Sequence, residues 1–230
     1  MIWYDYYYFI LVVPAMLISL WAQIRVKSTY SRMSKMPNGR GLTGAQAAQN
    51  VLSYYGITDV RIEQVQGTLT DHYDPRDNVI RLSPGVYHAS TVAAVGIACH
   101  EAGHAAQHAE NYKPIAVRNA ILPVANIGSS SGLWLAVIGL IFNWTILVEI
   151  GIFLYAFVAL FQLVTLPVEF NASSRALKVI DETQMLDGEE YKGARKVLSA
   201  AAMTYVAALL VSIMSLLRLI LRAQRSNNRR

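Results

Sequence analysis

The chain has 230 residues, of which 54% are hydrophobic and only 15% charged, with a formal net charge of +5. That length allows one modest core, but the composition is too apolar for an ordinary soluble domain, where charged residues run near a quarter. The cations sit beside an apolar run and not on a folded face, which argues against nucleic acid as a partner.

The apolar residues fall in blocks: Tyr6 to Ile24, Leu133 to Phe142, Ile146 to Leu166 and Ala200 to Leu221. Crossing a bilayer as a helix takes about 20 such residues, so the first and third qualify directly. Residues 1–24 are expected to be a retained transmembrane anchor. No cationic leader precedes the run, and no small-residue cleavage pattern follows it. Tyr4, Tyr6, Tyr7 and Tyr8 at one end and Trp21 at the other suit interfacial anchors. Arg25, Lys27, Arg32, Lys35 and Arg40 crowd the exit. By the positive-inside rule the N-terminus lies outside and residue 25 onward emerges in the cytoplasm.

Residues 25–115 read as a cytoplasmic α+β region. Pro37 to Gly41 is a linker. Thr43-Gly-Ala-Gln46 is a capping-box pattern that opens a short helix to Tyr54. Val60 to Val65 alternates apolar and polar like a half-buried strand. Asp71 to Asn78 is rich in turn formers, and Val79 to Leu82 reads as a second short strand. After the break at Ser83-Pro84-Gly85, the Ala-dense stretch Ser90 to Ala109 reads as a helix. Cys99 stands alone in the chain, so no intramolecular disulfide can form, as suits a reducing compartment. It lies next to His100 but about 100° round the helix, and reads as a small buried residue.

That helix carries His100-Glu101-Ala102-Gly103-His104. Histidines four apart project from one helical face about 6 Å apart along the axis, so both rings can close on one metal. Glu101 points beside that metal, where a carboxylate can take a proton from water. Zinc fits an imidazole-rich site, and three protein ligands leave the open position that catalysis requires. His108 continues the same face but lies about 12 Å from His100 along the axis, too far to share one ion. A metzincin would need Gly at 107 and His at 110, where Gln107 and Glu110 stand.

The remaining chain divides into a transmembrane hairpin at 116–167, a helical segment at 168–198, an apolar helix at 199–222 and a basic tail at 223–230. Three carboxylates could supply the third ligand: Glu149, Glu169 and Asp187. Pro167 can open a helix, which would put Glu169 in its first turn, where a carboxylate is electrostatically favoured. Three spans return the chain to the cytoplasm at Val168, on the same side as the histidines. A fourth crossing would export Arg222, Arg225, Arg229 and Arg230, and Arg218 interrupts the run itself. The last helix is therefore read as either a span or an interfacial helix, and the charges favour one that lies partly in the interface or against the protein without crossing.

The first span, Thr70 to Arg76, Val79 to Ser83, the HEAGHAAQH segment from His100 to His108 and the LPVEFNASSRAL segment from Leu166 to Leu177 stand in one order. Together they resemble the YugP-like family of neutral zinc metallopeptidases, which is distantly similar to HtpX-like proteases. The resemblance implies a mainly α-helical integral membrane protein with a small α+β, zincin-like (gluzincin-type) metal-binding domain. It implies one Zn2+ per chain held by His100, His104 and Glu169, and makes 168–198 the segment that carries the third ligand. It also implies that Val79, Ile80, Arg81 and Leu82 form an edge strand that pairs with extended substrate, a mode consistent with strand addition. HtpX-like relatives usually place Asp where Ser173 stands.

The expected activity is zinc-dependent endopeptidase cleavage in a multi-pass cell-membrane protein, its metal site facing the cytoplasm. Glu101 is the general base, then the proton donor to the leaving amine. His108, Arg175 and Tyr191 are candidates for the outer coordination environment or the oxyanion. Substrates are protein or peptide, with membrane proteins suggested by analogy, and the oligomeric state is left open. Two rivals remain. A site-2-type intramembrane protease would use Leu186-Asp187-Gly188, but that motif sits in a strongly charged stretch. A non-enzymatic membrane adaptor with a structural zinc would have no use for Glu101.

Overall fold

The computed structural model describes residues 5–142 and 144–227, so Tyr4, Arg229 and Arg230 lie outside the described residues. Contacts divide the chain into two compact units, one of Met1–Gln23, Ala116–Leu166 and Met203–Arg230, the other of Ile24–Ile115 and Pro167–Ala202.

The first unit is built from long apolar helices. A π-helical turn, Tyr8–Val12, leads into α1, Val13–Met33. Pro14 offers no N–H and its ring crowds the carbonyl four residues back, at Ile10, and the wider π turn accommodates it there. Helix α5, Lys113–Ile127, continues through a second π turn, Gly128–Gly132, into α6, Leu133–Ile141. In this turn the hydroxyls of Ser130 and Ser131 donate to the carbonyls of Asn126 and Ile127 at 3.0 and 2.7 Å. The apolar run read at Leu133 is thus the second half of a longer element. Helix α7, Thr145–Glu182, returns alongside α6. The hairpin closes on small residues. A Cβ at Gly151 would lie 2.4 Å from the Ala136 nitrogen, so only glycine permits this backbone approach.

Helix α8, Gly188–Asn227, is continuous. Together with Tyr8–Met33, Lys113–Ile141 and Thr145–Glu182 it makes four helical stretches long and apolar enough to cross a membrane. Arg218, the residue that argued against a fourth crossing, has a counter-ion. Its Nε and Nη2 each lie 2.8 Å from Asp5 Oδ2, and its guanidinium covers the Tyr8 ring at 5.1 Å. Arg222 approaches the same carboxylate at 3.8 Å.

The second unit packs helices against a small sheet. Thr43 caps α2, Gly44–Tyr54, and the reciprocal bonds with Gln46 complete the capping box. Strands β1, Arg61–Gln64, β2, His72–Asp74, and β3, Val79–Leu82, form a sheet in the order β1-β3-β2. The pair β1–β3 is parallel, whereas β2–β3 is an antiparallel hairpin. Asp74 turns this hairpin by accepting from the Arg76 N–H at 3.0 Å, and Asn78 takes the left-handed conformation at φ 52°. A short helix α3, Pro84–Tyr87, follows, and Thr91 caps α4, Val92–Ala109. Leu52, Ile80, Leu82, Val95 and Ile180 are among the side chains that fill the core.

Two expectations are corrected here. Val79 to Leu82 is the middle strand and not an edge, because β1 and β2 each take one side of its backbone. Val79, Ile80 and Leu82 are fully buried, and Arg81 is paired with Asp74 and Asp77 at 3.3 and 2.6 Å. An extended peptide could add to this sheet only at β1 or β2. Pro167 does not open a helix. It lies inside α7, where an established helix on both sides outweighs the loss of one N–H bond. Glu169 therefore stands in mid-helix, and the first-turn electrostatic argument for it falls away.

Replacing Gly151 with Leu should drive α6 and α7 apart. Thermal unfolding of the solubilised protein should show a loss of about 1–3 kcal/mol, the usual cost of overpacking.

Candidate metal centre

Two elements of the second unit, α4 and the part of α7 after Pro167, make the site. Their separation is set by Gly103, the fourth residue of His100-Glu101-Ala102-Gly103-His104. A Cβ there would lie 2.7 Å from the Ala172 carbonyl oxygen. About two turns further toward the N-terminus of α4, a Cβ at Gly96 would lie 3.3 Å from the Ala194 side chain of α8. Helices with side chains of ordinary size at the contact pack 8–10 Å apart, and small residues let the backbones come closer.

This approach brings the side chains of His100, His104 and Glu169 together. Their potential ligand atoms all lie within 4.8 Å of one another. Glu169 Oε2 is 3.4 Å from His100 Nε2 and 3.7 Å from His104 Nε2. Charge-assisted hydrogen bonds are shorter, about 2.7–2.9 Å. Zinc at about 2.0–2.1 Å from tetrahedral donors spaces those donors about 3.4 Å apart. The observed distances suit donors that share an ion better than donors that bond to each other. The donor chemistry, two imidazoles and a carboxylate, also fits zinc.

The pocket favours positive charge. Burial disfavours a charged His104, but the carboxylates of Glu169 and Glu101 and the Gln107 side chain outweigh it and raise the ring's pKa. Glu101 is itself buried on α4. Cys99 is fully buried, donating weakly to the Ala47 carbonyl, and burial alone pushes its thiol up. It is therefore inert packing.

The Nδ1 atoms of both rings are occupied on the side away from Glu169. Ser173 Oγ lies 3.1 Å from His100 Nδ1, and Gln107 Oε1 lies 3.0 Å from His104 Nδ1. Ser173, four residues after Glu169, thus touches the first histidine. Gln107 is fully buried and was not anticipated. The available signal was an uncharged polar residue three positions after His104, on a helix otherwise made of alanine and glycine there.

The other expected participants stand elsewhere. The Tyr73 hydroxyl donates to Asn78 Oδ1 at 2.7 Å and lies 3.1 Å from His108 Nδ1. Burial, with Asp59 and Asp74 nearby, pushes that hydroxyl up to about 12, so it keeps its proton. His108 thus joins α4 to β2. Arg175 pairs with Glu110 at 2.7 Å, donates to Asn171 at 2.8 Å and stacks over Tyr55. Tyr191 packs against the hydrophobic core. Of the rival carboxylates, Glu149 belongs to the first unit and Asp187 is exposed just before α8.

Residues 8–224 match the model of a family described as "Putative neutral zinc metallopeptidase". The chain belongs to that family, the one toward which its motifs pointed. It is 46% identical over 211 residues to "Putative membrane protease YugP" of Bacillus subtilis (strain 168), an alignment spanning 92% of this chain and 94% of that protein. No solved structure matches the chain.

Gly103→Ala tests the close approach. The added methyl must push Ala172 away, which should cost about 1–3 kcal/mol in unfolding experiments. Zinc affinity, measured by chelator competition, should fall with it, because Glu169 lies one helical turn from Ala172.

Proposed function

We propose that this chain is a zinc-dependent endopeptidase of the cell membrane, with His100, His104 and Glu169 as the metal ligands and Glu101 as the general base. The observation that carries the reading is the spacing of the three donors: two imidazole nitrogens 3.4 and 3.7 Å from one carboxylate oxygen. The family name and the relative's description as a membrane protease support it.

Zinc, when bound, supplies a Lewis acid that makes water nucleophilic near neutral pH and polarises a peptide carbonyl. The chain does the rest. His100, His104 and Glu169 hold the ion and leave room for a fourth partner, the arrangement of a catalytic and not a structural site. Glu101 follows His100 by one residue, so it stands beside the ligands and does not join them. As a buried carboxylate there it takes the proton from the attacking water and delivers it to the departing amine. The gluzincin-type description follows from the order of these residues, two histidines on one helix and a glutamate on a later one.

The topology we favour has four spans, with the N-terminus outside and the metal site in the cytoplasm. Two features support it: the cations at 25–40 follow the first span, and Arg218 and Arg222 of α8 share the Asp5 carboxylate. Protein or peptide chains reachable from that face are the proposed substrates.

Two experiments decide the chemistry. Glu101→Gln keeps the size of the side chain but cannot accept the proton. It should retain zinc and lose activity by at least about 100-fold; wild-type cleavage by this variant would rule out Glu101 as the base. Glu169→Ala should strip the metal, far beyond the 10–100-fold loss usual for outer partners, while Asp187→Ala keeps both metal and activity. Zinc held by the first variant and lost by the second would overturn the ligand assignment. Topology has its own test. Cys99 is buried, so an Arg225→Cys variant carries one accessible thiol. A membrane-impermeant reagent should label it in intact cells; protection there would return α8 to the cytoplasmic side.

A further inference from the structure

A hydrogen-bonded chain runs from the end of α4 to the metal-facing histidines, and its polarity can be read without placing any hydrogen by choice. Arg175 carries only donors, and its Nε lies 2.8 Å from Asn171, so the Asn171 atom that faces it is the carbonyl oxygen. Gln107 presents its other amide end to that same oxygen at 2.9 Å and to the Val168 carbonyl at 2.8 Å. Two acceptors demand a donor, so the Gln107 NH2 group points at them and its oxygen points the other way. That oxygen lies 3.0 Å from His104 Nδ1. An amide oxygen can only accept, so Nδ1 carries a proton whatever the charge of the ring.

We infer that Gln107, oriented by Asn171 and Arg175, is the positioning residue that holds a proton on His104 Nδ1 and so reserves Nε2, which faces Glu169, for the metal. The inference rests on the zinc reading above for its purpose, but not for its geometry. A neutral imidazole in the other tautomer would turn an N–H toward the ion and would have to rearrange before binding. Glu110 anchors the outer end, 2.7 Å from Arg175 Nη2, so a contact near the surface is tied to the orientation of a buried ligand. This assigns Arg175 a supporting role at the metal in place of oxyanion stabilisation. His100 is treated differently. Its Nδ1 faces the Ser173 hydroxyl at 3.1 Å, which can donate or accept, so either tautomer is satisfied there. One ring is preset and the other is adaptable.

The experiment uses the full chain, solubilised, with its histidines labelled with nitrogen-15. In the zinc-loaded protein, long-range proton–nitrogen spectra should show His104 with a proton on Nδ1 and none on Nε2. Zinc affinity is then measured by competition with a chromophoric chelator. Gln107→Met, which can neither donate nor accept strongly, should weaken zinc by about 10–100-fold and let the Nε2–H tautomer appear. Gln107→Glu still accepts from Nδ1–H but cannot donate to Val168. It should keep the Nδ1 proton and weaken zinc less than Gln107→Met does. Equal weakening in both variants, with the wild-type tautomer kept, would reduce Gln107 to a packing residue and overturn the inference. So would a wild-type His104 protonated on Nε2, and that measurement decides even if Gln107→Met fails to fold. A wild-type chain that takes up no zinc would instead sink the metal reading, whatever the tautomer.

Discussion

The structure of the site depends on one contact, the backbone of α4 at Gly103 against the backbone of α7 at Ala172. Everything chemical is arranged around it. With no side chain between the two helices, a carboxylate on one can reach two imidazoles on the other within a pocket that excludes most solvent. The low-dielectric surroundings make each charge there count for more than it would in water. The same contact explains why Gln107, only one turn beyond Gly103, can donate directly to a main-chain carbonyl of α7. A wider gap would leave that carbonyl and the amide to be bridged by water, and the orientation of the amide would no longer be imposed.

A site made this way divides its labour between the helices. α4 contributes the two imidazoles, Glu101 and Gln107. α7 contributes Glu169 and the partners of both Nδ1 atoms, directly through Ser173 and indirectly through Asn171 and Arg175. Metal-ligating histidines almost always have such partners, and their loss is usually felt in affinity more than in fold. Because α7 supplies partners as well as a ligand, a shift of α7 along α4 would disturb the carboxylate and both ring orientations together. On the proposed reading, this rigidity would keep three ligands from relaxing into the position left for water.

What could be read from the sequence was what is local. His100 and His104 declare themselves because a helix puts residues four apart on one face, and Thr43 and Gln46 declare a cap for a similar reason. Glu169 did not. It was one of three candidate carboxylates, and once the helix-start argument from Pro167 falls away only the resemblance to a family singles it out, since its partners lie more than sixty residues earlier. Gly103 carries no signal that spacing reveals, although its lack of a side chain is what admits α7. The strand Val79 to Leu82 was located correctly, but alternation says nothing of strand order. The parallel partner β1 takes the side that an edge strand would have kept open. Pro167 misled for a different reason. Proline's preference for the first turn of a helix is a tendency of isolated elements, and a helix of 38 residues can absorb one missing hydrogen bond.

The last helix shows how much a charge count read from sequence depends on which charges are paired. Arg218 in a run of leucine and isoleucine looks like a residue that must reach the interface, because an unpaired cation at the bilayer centre costs about 2.5–3.5 kcal/mol even on the mildest scale. The objection holds only while the cation is alone. Asp5 stands 213 residues away in sequence and 2.8 Å away in space, and the Tyr8 ring adds its face to the same guanidinium. Paired so, Arg218 is no longer a reason for α8 to leave the apolar unit. The pair also bears on Asp5, whose carboxylate would carry a similar cost near the first apolar run without its arginine. Two residues that each argue against burial when taken singly argue, as a pair, that the two ends of the described chain lie at the same end of the apolar unit. In such a protein, orientation is better argued from charges that remain unpaired after folding than from charges counted along the chain.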